Sequence, residues 1–255
     1  MTTAALGRMR ALGRAELTLL LRNRSAVFTA LLVPLLLVFT FRMSLSDSLV
    51  EATALSAGGL VLSGGLGVVL VIAVYANLVS AYVARREELV LKRLRTGESS
   101  DVEILGGTAL PSVLIGLVQC LLLIAAGVAV VDIPLPGRAD VLLLGLLLGT
   151  VMMTGLAAAT SALTRSPESA QITVMPLMML SFLGSGLMVP LEVMPDAVAD
   201  VARLLPLTPV VELVRYGWFG EGTGGDVALA VGLAVAWTAF AVFAVRRWFR
   251  WEPRR

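Results

Sequence analysis

The chain has no histidine, one cysteine and one lysine among its 255 residues. Without histidine, neither a serine–histidine nucleophile pair nor the usual zinc-binding sets of cysteine and histidine can form. The cysteine, Cys120, lies in an apolar run and has no second thiol in the chain with which to form a disulfide. The composition therefore argues against hydrolases of the serine–histidine type, zinc proteins and disulfide scaffolds.

An ATP-binding loop of the Walker A type is also missing. That loop places its lysine directly after a glycine, whereas Lys92 follows Val90 and Leu91. We therefore expect that this chain is not an enzyme, that it does not hydrolyse ATP, and that it binds no cofactor and no metal. No basic patch with interleaved aromatic residues is present, so we expect no nucleic-acid partner.

Charge is scarce as well. Charged residues make up 15% of the chain, 58% is hydrophobic and the mean hydropathy is +0.91, whereas soluble domains carry about 25% charged residues. A membrane-spanning helix needs roughly 20 apolar residues. Six stretches qualify: residues 25–41, 52–84, 104–131, 141–163, 170–189 and 227–245. The sequence predicts an all-α integral membrane protein with six transmembrane helices.

The positive residues support six spans. Residues 52–84 are long for one upright span, and the glycine-rich part at 58–67 permits two helices instead. With six spans, however, 16 of the 20 positive residues lie on one side. The other four are Arg42, Arg138, Arg203 and Arg215. Because positive residues mark the cytoplasmic face, we predict that both termini are cytoplasmic.

No acidic or basic residue lies inside the six stretches. Proton- and ion-coupled transporters usually need such residues at membrane depth, which argues against that class. If the protein transports a substrate uphill, the energy must come from another chain.

Two cytoplasmic segments flank the predicted six-span domain, residues 25–245. Residues 1–24 read as an amphipathic helix with a polar stripe every four residues, at Arg10, Arg14, Thr18 and Arg22. Such a helix before a span most often lies along the membrane surface, although it could also recognise a partner. Residues 246–255 form a basic tail.

The insert "RREELVLKRLRTGESSDVE", residues 85–103, holds ten charged residues, whereas the 33 residues before it hold none. We predict one helical run over 85–95, with Glu88, Lys92 and Arg95 on one face. A turn at Gly97 and a capping box from Ser100 to Glu103 should follow. Val90, Leu91 and Leu94 should share the opposite face.

Two functions fit this predicted insert helix. It could lie on lipid headgroups, with arginines bound to phosphates, or dock on a partner protein. Glu87 and Glu88 would face anionic lipid unfavourably, which slightly favours the protein partner.

A helical hairpin, re-entrant or on the outer surface, is predicted within residues 190–226, with two short helices. The first should run from Asp196 to Leu205 with Val198, Val201, Ala202 and Leu205 inward. The second should be capped by Thr208 with Pro209 in its first turn, and should end near Tyr216, before Gly217.

These segments carry a family resemblance. The chain resembles permeases of the type-2 ABC exporter family, closest to the daunorubicin-resistance-like bacterial branch. The resemblance rests on the N-terminal helix before six spans, on "RREELVLKRLRTGESS" between spans two and three, and on "GLMVPLEVMPDAVADVARLLPLTPVVELVRYG" before span six.

The resemblance implies a bacterial plasma-membrane exporter for an amphiphilic drug, a lipid or a similar hydrophobic substrate. The insert would be a coupling helix seated on a separate ATPase subunit, which would bind the ATP and magnesium. The coupling residues would be Glu87, Glu88, Leu91, Lys92, Arg93, Leu94 and Arg95. The hairpin would form a lid above the exit path, with Pro190, Pro195, Pro206, Thr208, Pro209 and Arg215. The chain would work in the lipid bilayer as a homodimer, with a heterodimer as the alternative.

Three methionines, Met175, Met178 and Met179, flank Pro176 on the fifth stretch. They could line a substrate path, because methionine forms adaptable apolar surfaces, but ordinary helix packing is the commoner role. The substrate itself is not identified. A non-transporting ABC subunit is an alternative function. A membrane-embedded enzyme is another, but its candidate acids, Glu192, Asp196 and Asp200, fit the surface of a short helix better.

The six-span topology predicts the side from which single cysteines react. A cysteine at position 99, in place of Ser99, should react only with reagents that reach the cytoplasm, and one in place of Asp196 should react from outside, because the charge distribution puts them on opposite faces. Membrane-impermeant labelling of intact cells measures this. Labelling of both positions from the same side would overturn the six-span topology.

Overall fold

The computed structural model describes residues 57–97, 100–130, 133–220 and 222–252. Before them it describes seven isolated helical positions: Gly7, Arg14, Thr18, Phe28, Leu32, Leu36 and Phe39. Most of the predicted helix at 1–24 and of the predicted span at 25–41 lies outside the described residues. So do Arg42, Ser99 and residues 253–255.

The described part of the chain is helical and contains no strand. The first transmembrane helix there is built from α1 (Ala57–Val69), a π-helical segment (Leu70–Ala76) and α2 (Asn77–Glu87) in direct succession. It is followed by the short α3 (Val90–Arg95), by α4 (Asp101–Val130), α5 (Ala139–Leu163) and α6 (Pro167–Gly184). A 3₁₀ turn (Leu191–Val193), α7 (Asp196–Arg203), α8 (Thr208–Phe219) and the long α9 (Gly224–Trp248) complete the order.

Among the described residues, four helices are long and apolar enough to cross a membrane: Gly58–Glu87, Asp101–Ala129, Ala139–Leu163 and Gly224–Trp248. They match the second, third, fourth and sixth predicted stretches. The first of them is one helix of 30 residues, so the two-helix alternative for 52–84 is wrong. At 1.5 Å per residue it is about 45 Å long, which exceeds the roughly 30 Å hydrocarbon core.

The fifth predicted stretch, 170–189, forms a shorter helix than expected. Helix α6 ends at Gly184, because the chain bends at Ser185 and Gly186 has a φ of +73°, in the left-handed region. The six-span count therefore stays a prediction, with four apolar spans in the described part of the chain.

The Gly58–Glu87 helix is the centre of the bundle. In the most apolar part of this helix 89% of the residues are buried, whereas the corresponding share is 33% in Asp101–Ala129 and 22% in Gly224–Trp248. Large apolar side chains such as Leu121, Leu147 and Phe243 point out of the bundle. In a membrane protein these outward faces contact lipid or another subunit, because both are as apolar as the protein core.

The bundle has two distinct ends. At the insert end, Arg86 of α2 bonds to Ser161 near the end of α5. At the hairpin end, the Trp218 indole donates to the carbonyl of Pro134, and Arg138 donates its main-chain N–H to Gly217. The helices therefore run up and down between the insert at one end and the α7–α8 hairpin at the other.

Small residues of α1 face the hairpin within the same chain. A Cβ atom at Gly59 would lie 2.9 Å from the Phe219 ring, and one at Gly67 would overlap Leu187 and lie 3.3 Å from Val211. These glycines allow close approach of α1 to the hairpin.

Substituting leucine for Gly67 should lower the folded yield, because the new side chain has no room beside Leu187. Overpacking of this kind typically costs about 1–3 kcal/mol. The matched control is Gly137→Leu, an exposed turn residue where the nearest atom to a new Cβ would be 3.8 Å away, an ordinary contact. Size-exclusion profiles of detergent-extracted protein measure the yield. Equal monodisperse yields of both variants would contradict the close packing described here.

Candidate functional site

The predicted helix over 85–95 is broken, so that prediction is wrong. Helix α2 ends at Glu87, and Leu89 takes a left-handed conformation with a φ of +61° before α3 begins. That conformation costs roughly 1–2 kcal/mol for a residue with a Cβ atom. It turns α3 so that Leu91 is fully buried, and burial of a leucine side chain contributes about 1.5–3 kcal/mol.

Arg86 ties the insert to the end of α5. Its side chain is 1% exposed, and its guanidinium donates to the carbonyls of Ser161 at 2.9 Å, Thr164 at 2.8 Å and Arg165 at 3.3 Å. These carbonyls lie where a helix leaves its last acceptors unsatisfied and partly negative. The Glu87 carboxylate lies 3.3 Å from the same guanidinium. The charge of Arg86 is therefore compensated although the side chain is buried.

The C-terminal segment lies against the insert. Lys92 forms an ion pair with Glu252 at 2.8 Å, and the Arg95 guanidinium stands 4.7 Å from the centre of the Trp251 ring. Phe249 stacks edge-on to both Trp251 and Tyr82. The tail residues Trp251 and Glu252 therefore belong to the same surface as the insert residues, which the sequence prediction had treated alone.

The entry into α4 follows the sequence prediction. The Ser100 hydroxyl accepts from the Glu103 main chain at 3.4 Å, and the Glu103 carboxylate accepts from the Ser100 main chain at 3.3 Å. This confirms the capping box. Arg95 pairs with Asp101 at 3.0 Å and so joins α3 to the first turn of α4.

The predicted coupling residues separate into interior and exterior groups. Leu91 is buried, Leu94 and Glu87 are half-buried, and neither Leu91 nor Arg86 is available to a partner. The other four, Glu88, Lys92, Arg93 and Arg95, are exposed. Together with the exposed Leu89, which was not predicted, they form what we call the insert surface. Glu88 pairs with Arg85 at 2.9 Å rather than with Lys92, because the break at Leu89 removes their i,i+4 spacing.

The hairpin forms at the opposite end, with four differences from its prediction. The first helix, α7, ends at Arg203 and not at Leu205. Helix α7 buries Ala199 and Ala202, whereas Val198 and Val201 are 52% and 65% exposed. The small alanines face inward because α7 and α8 lie close together: the Thr208 hydroxyl donates to the Ala202 carbonyl at 2.6 Å. Helix α8 begins at Thr208, with Leu207 at the N-cap position, so the predicted capping role of Thr208 is wrong.

Helix α8 continues past its predicted end. It ends at Phe219, with Gly220 in the left-handed conformation at a φ of +71°. Gly217 is not a stop signal: a Cβ atom there would overlap the main chain of Leu142 on α5. Glycine at this position allows the two helices to touch.

Arg215 is the buried charge of the hairpin end. It is 6% exposed and donates to the Glu192 carboxylate at 3.2 Å, the Gly186 carbonyl at 3.1 Å and the Ser63 hydroxyl at 3.4 Å. The Arg215 side chain thus links α8 to the 3₁₀ turn, to the bend after α6 and to α1. Of the predicted lid residues, Pro190, Pro206, Thr208 and Pro209 are also buried, and Pro195 is exposed.

A cavity of about 100 Å³ lies beside Arg215, lined on its polar side by Ser185, Glu192, Thr208, Glu212 and Tyr216. Burial raises the pKa of the Glu212 carboxyl, and the nearby Arg215 partly offsets this effect. Burial also raises the pKa of Tyr216 to about 12.

The three methionines do not share one face. Met175 and Met179 are exposed on α6, 49% and 46%, whereas Met178 packs against the central core. Any substrate path on α6 would therefore include only part of the predicted set.

Sequence reasoning missed the roles of Arg86, Glu212 and the tail. Arg86 lies two residues after a charge-free run of 33 residues. An arginine at the end of a span can donate hydrogen bonds to the last carbonyls of a helix, and this could have been predicted. The positions of Glu212 and Trp251 depend on contacts between distant segments, for which the sequence holds no comparable signal.

The sequence model of a family described as "ABC-2 family transporter protein" matches residues 45–245, well over half of the chain. The chain belongs to the ABC-2 family of transporter proteins. The match includes the insert, the hairpin, three of the four apolar spans in full and the fourth span as far as residue 245. No curated protein matches the sequence at a significant level.

Membership makes this chain a transporter permease subunit in a membrane rather than a catalytic domain. ABC-2 permeases generally pair with an ABC ATPase subunit. The insert end and the hairpin end are therefore regions of one transport permease.

Removal of the Arg86 side chain should destabilise the permease. Arg86→Ala would remove the donor to the buried Thr164 carbonyl, whereas the Ser161 carbonyl would keep its bond from the Thr164 main chain; an unpaired buried group costs about 1–3 kcal/mol. The stability of Arg86→Lys should lie between those of the unchanged protein and Arg86→Ala, because lysine keeps the charge but lacks the planar set of donors of arginine. Thermal inactivation in detergent measures the effect. The control is Arg246→Ala, an exposed arginine at the same end; equal stability of Arg86→Ala and this control would refute the capping role.

Proposed function

We propose that this permease is the membrane subunit of an ATP-driven exporter. It moves an amphiphilic drug, a lipid or a similar hydrophobic substrate outward, with energy from a separate ATPase subunit that binds ATP and magnesium. The observation that carries the proposal is the insert surface, a charged surface fixed to the ends of two spans in a chain of the ABC-2 family.

The contacts at the insert end suit transmission of movement. Arg86 links α2 to α5, Arg95 links α3 to α4, and the Tyr82 hydroxyl donates to the Leu105 carbonyl at 3.0 Å. A displacement of α3 would therefore be transmitted to the spans that contain α2, α4 and α5. Burial of Leu91 under α3 supports the same reading.

We propose a six-span topology with both termini and the insert on the cytoplasmic side of a bacterial plasma membrane. The distribution of positive residues supports it. The three described arginines assigned to the outer side each pair with an acid: Arg138 with Asp140, Arg203 with Asp200 and Arg215 with Glu192. Their positive charge is therefore locally neutralised.

We also propose that two permeases act together as a homodimer. The weak burial of the Gly224–Trp248 span supports this, because a largely outward face can serve as a contact between subunits. A non-transporting role in an ABC complex is the alternative function. Substrate-stimulated ATP hydrolysis by the reconstituted permease–ATPase pair would favour the exporter, and its absence would favour the alternative.

Charge reversal on the insert tests the coupling role. Glu88→Lys, and the double variant Glu87→Lys with Glu88→Lys, should insert normally but capture the ATPase subunit about tenfold less well, because docked charge pairs tolerate like charges poorly. Pull-down of the ATPase measures this. The double variant also disturbs Arg86, to which Glu87 is bonded, so Glu88→Lys alone isolates the surface effect.

The matched control is the double variant Asp196→Lys with Asp200→Lys, which makes the same charge change on exposed residues at the hairpin end. It should retain the ATPase. If the insert instead lies on lipid, removal of Arg93 and Arg95 should matter more than reversal of the acids. Full ATPase capture and intact transport by the glutamate variants would reject the coupling role.

A further inference from the structure

The cavity beside Arg215 lies at the hairpin end and is lined by polar side chains together with the apolar Leu191 and Val211. The Ser185 hydroxyl lines it, is completely buried, and has no hydrogen-bond partner among the described residues. A buried hydroxyl without a partner costs free energy. A polar group from outside the chain would remove that cost.

The lining is rich in acceptors. The Thr208 hydroxyl gives its only proton to the Ala202 carbonyl at 2.6 Å and therefore offers only lone pairs to the cavity. Glu192 and Glu212 add two carboxylates, whereas Arg215 is the single cationic side chain in the lining and is bonded to Glu192. The Tyr216 phenol and the Ser185 hydroxyl can also donate, but the two carboxylates outnumber the one arginine, so the lining favours an occupant that brings hydrogen-bond donors and a positive charge.

Of the two acids in the lining, Glu192 pairs with Arg215, whereas no ion pair to Glu212 is formed among the described residues. Arg215 and Arg203 attract it through space, but among the described residues no hydrogen bond or ion pair joins it to either arginine. Burial raises the pKa of its carboxyl. A cation bound beside it would offset this effect of burial.

The volume restricts what can enter. About 100 Å³ is far below the roughly 300–1,000 Å³ of pockets that enclose a drug-sized molecule. We infer that this cavity binds the primary ammonium group of an amphiphile, with Glu212, Ser185 and Thr208 as acceptors and the apolar remainder of the ligand outside it. Glu192 lies at the mouth with half of its side chain exposed.

As a substrate subsite, this assignment rests on the proposed exporter function and narrows its substrate class to amine-bearing amphiphiles. The ammonium group could belong to a lipid headgroup, such as that of phosphatidylethanolamine, or to a soluble amine. Binding is measured on the permease alone, so its result is independent of ATPase capture at the insert.

The test titrates purified permease in phosphatidylcholine nanodiscs with ethylammonium chloride and follows its unfolding temperature. Tetraethylammonium chloride is the control, because it has the same charge but no N–H donor. We expect the unfolding temperature to rise saturably with ethylammonium and not with tetraethylammonium. Glu212→Gln should raise the half-saturating concentration at least about tenfold, since it removes a charge-assisted bond. Ser185→Ala should raise it less, and Asp200→Asn, an exposed acid on α7, should not change it.

A second arm uses nanodiscs of mixed phosphatidylethanolamine and phosphatidylcholine and quantifies the lipid that stays with the purified protein. Enrichment of phosphatidylethanolamine that Glu212→Gln abolishes would identify the lipid headgroup as the source. Ethylammonium binding without enrichment would identify a soluble amine. Equal responses to both ammonium salts, or a Glu212→Gln titration that superimposes on that of the unchanged protein, would show that the cavity holds water only and overturn the assignment.

Discussion

In an apolar bundle the last carbonyls of a helix have no water to bind, and the guanidinium of Arg86 supplies the donors that α5 lacks. This bond determines much of the insert end. It holds the end of α2 beside the end of α5, and the chain then reverses at Leu89 to bury Leu91. Without it, the buried charge of Arg86 and the buried carbonyl of Thr164 would lose their partners at one place.

The hairpin end meets the same constraint with a different residue. Arg215 carries a charge into the interior and shares it among Glu192, Gly186 and Ser63, which come from three separate segments. Glycine at 59, 67 and 217 brings the helices close enough for these bonds. Each end of the central helix is therefore fixed by one buried arginine, whereas the middle is held by apolar packing.

This arrangement relates to transport because the two ends differ in what they leave exposed. The insert end presents charge on a rigid corner backed by the tail residues Trp251 and Glu252. The hairpin end encloses a small polar cavity behind two short helices. The π-helical segment Leu70–Ala76 lies between them in the central helix, and such segments are often found at functional sites.

The sequence by itself determined the features that depend on local or one-dimensional information. The apolar spans follow from the length of the charge-free runs, and the Ser100–Glu103 capping box follows from residues three positions apart. The existence of two short helices in the hairpin followed from its proline and threonine spacing. The transporter family also followed from segments that could be recognised in the sequence.

The tertiary structure alone decided which side chains those elements bury. Helical periodicity favoured one helix through residue 95, but the gain from burying Leu91 and from bonding Arg86 to α5 exceeded the local preference of Leu89. Val198 and Val201 face outward, whereas Ala199 and Ala202 of the same helix are buried. Lys92 meets Glu252 across 160 residues of chain, and no local pattern predicts such a pair, because its free energy depends on how the whole bundle brings its ends together.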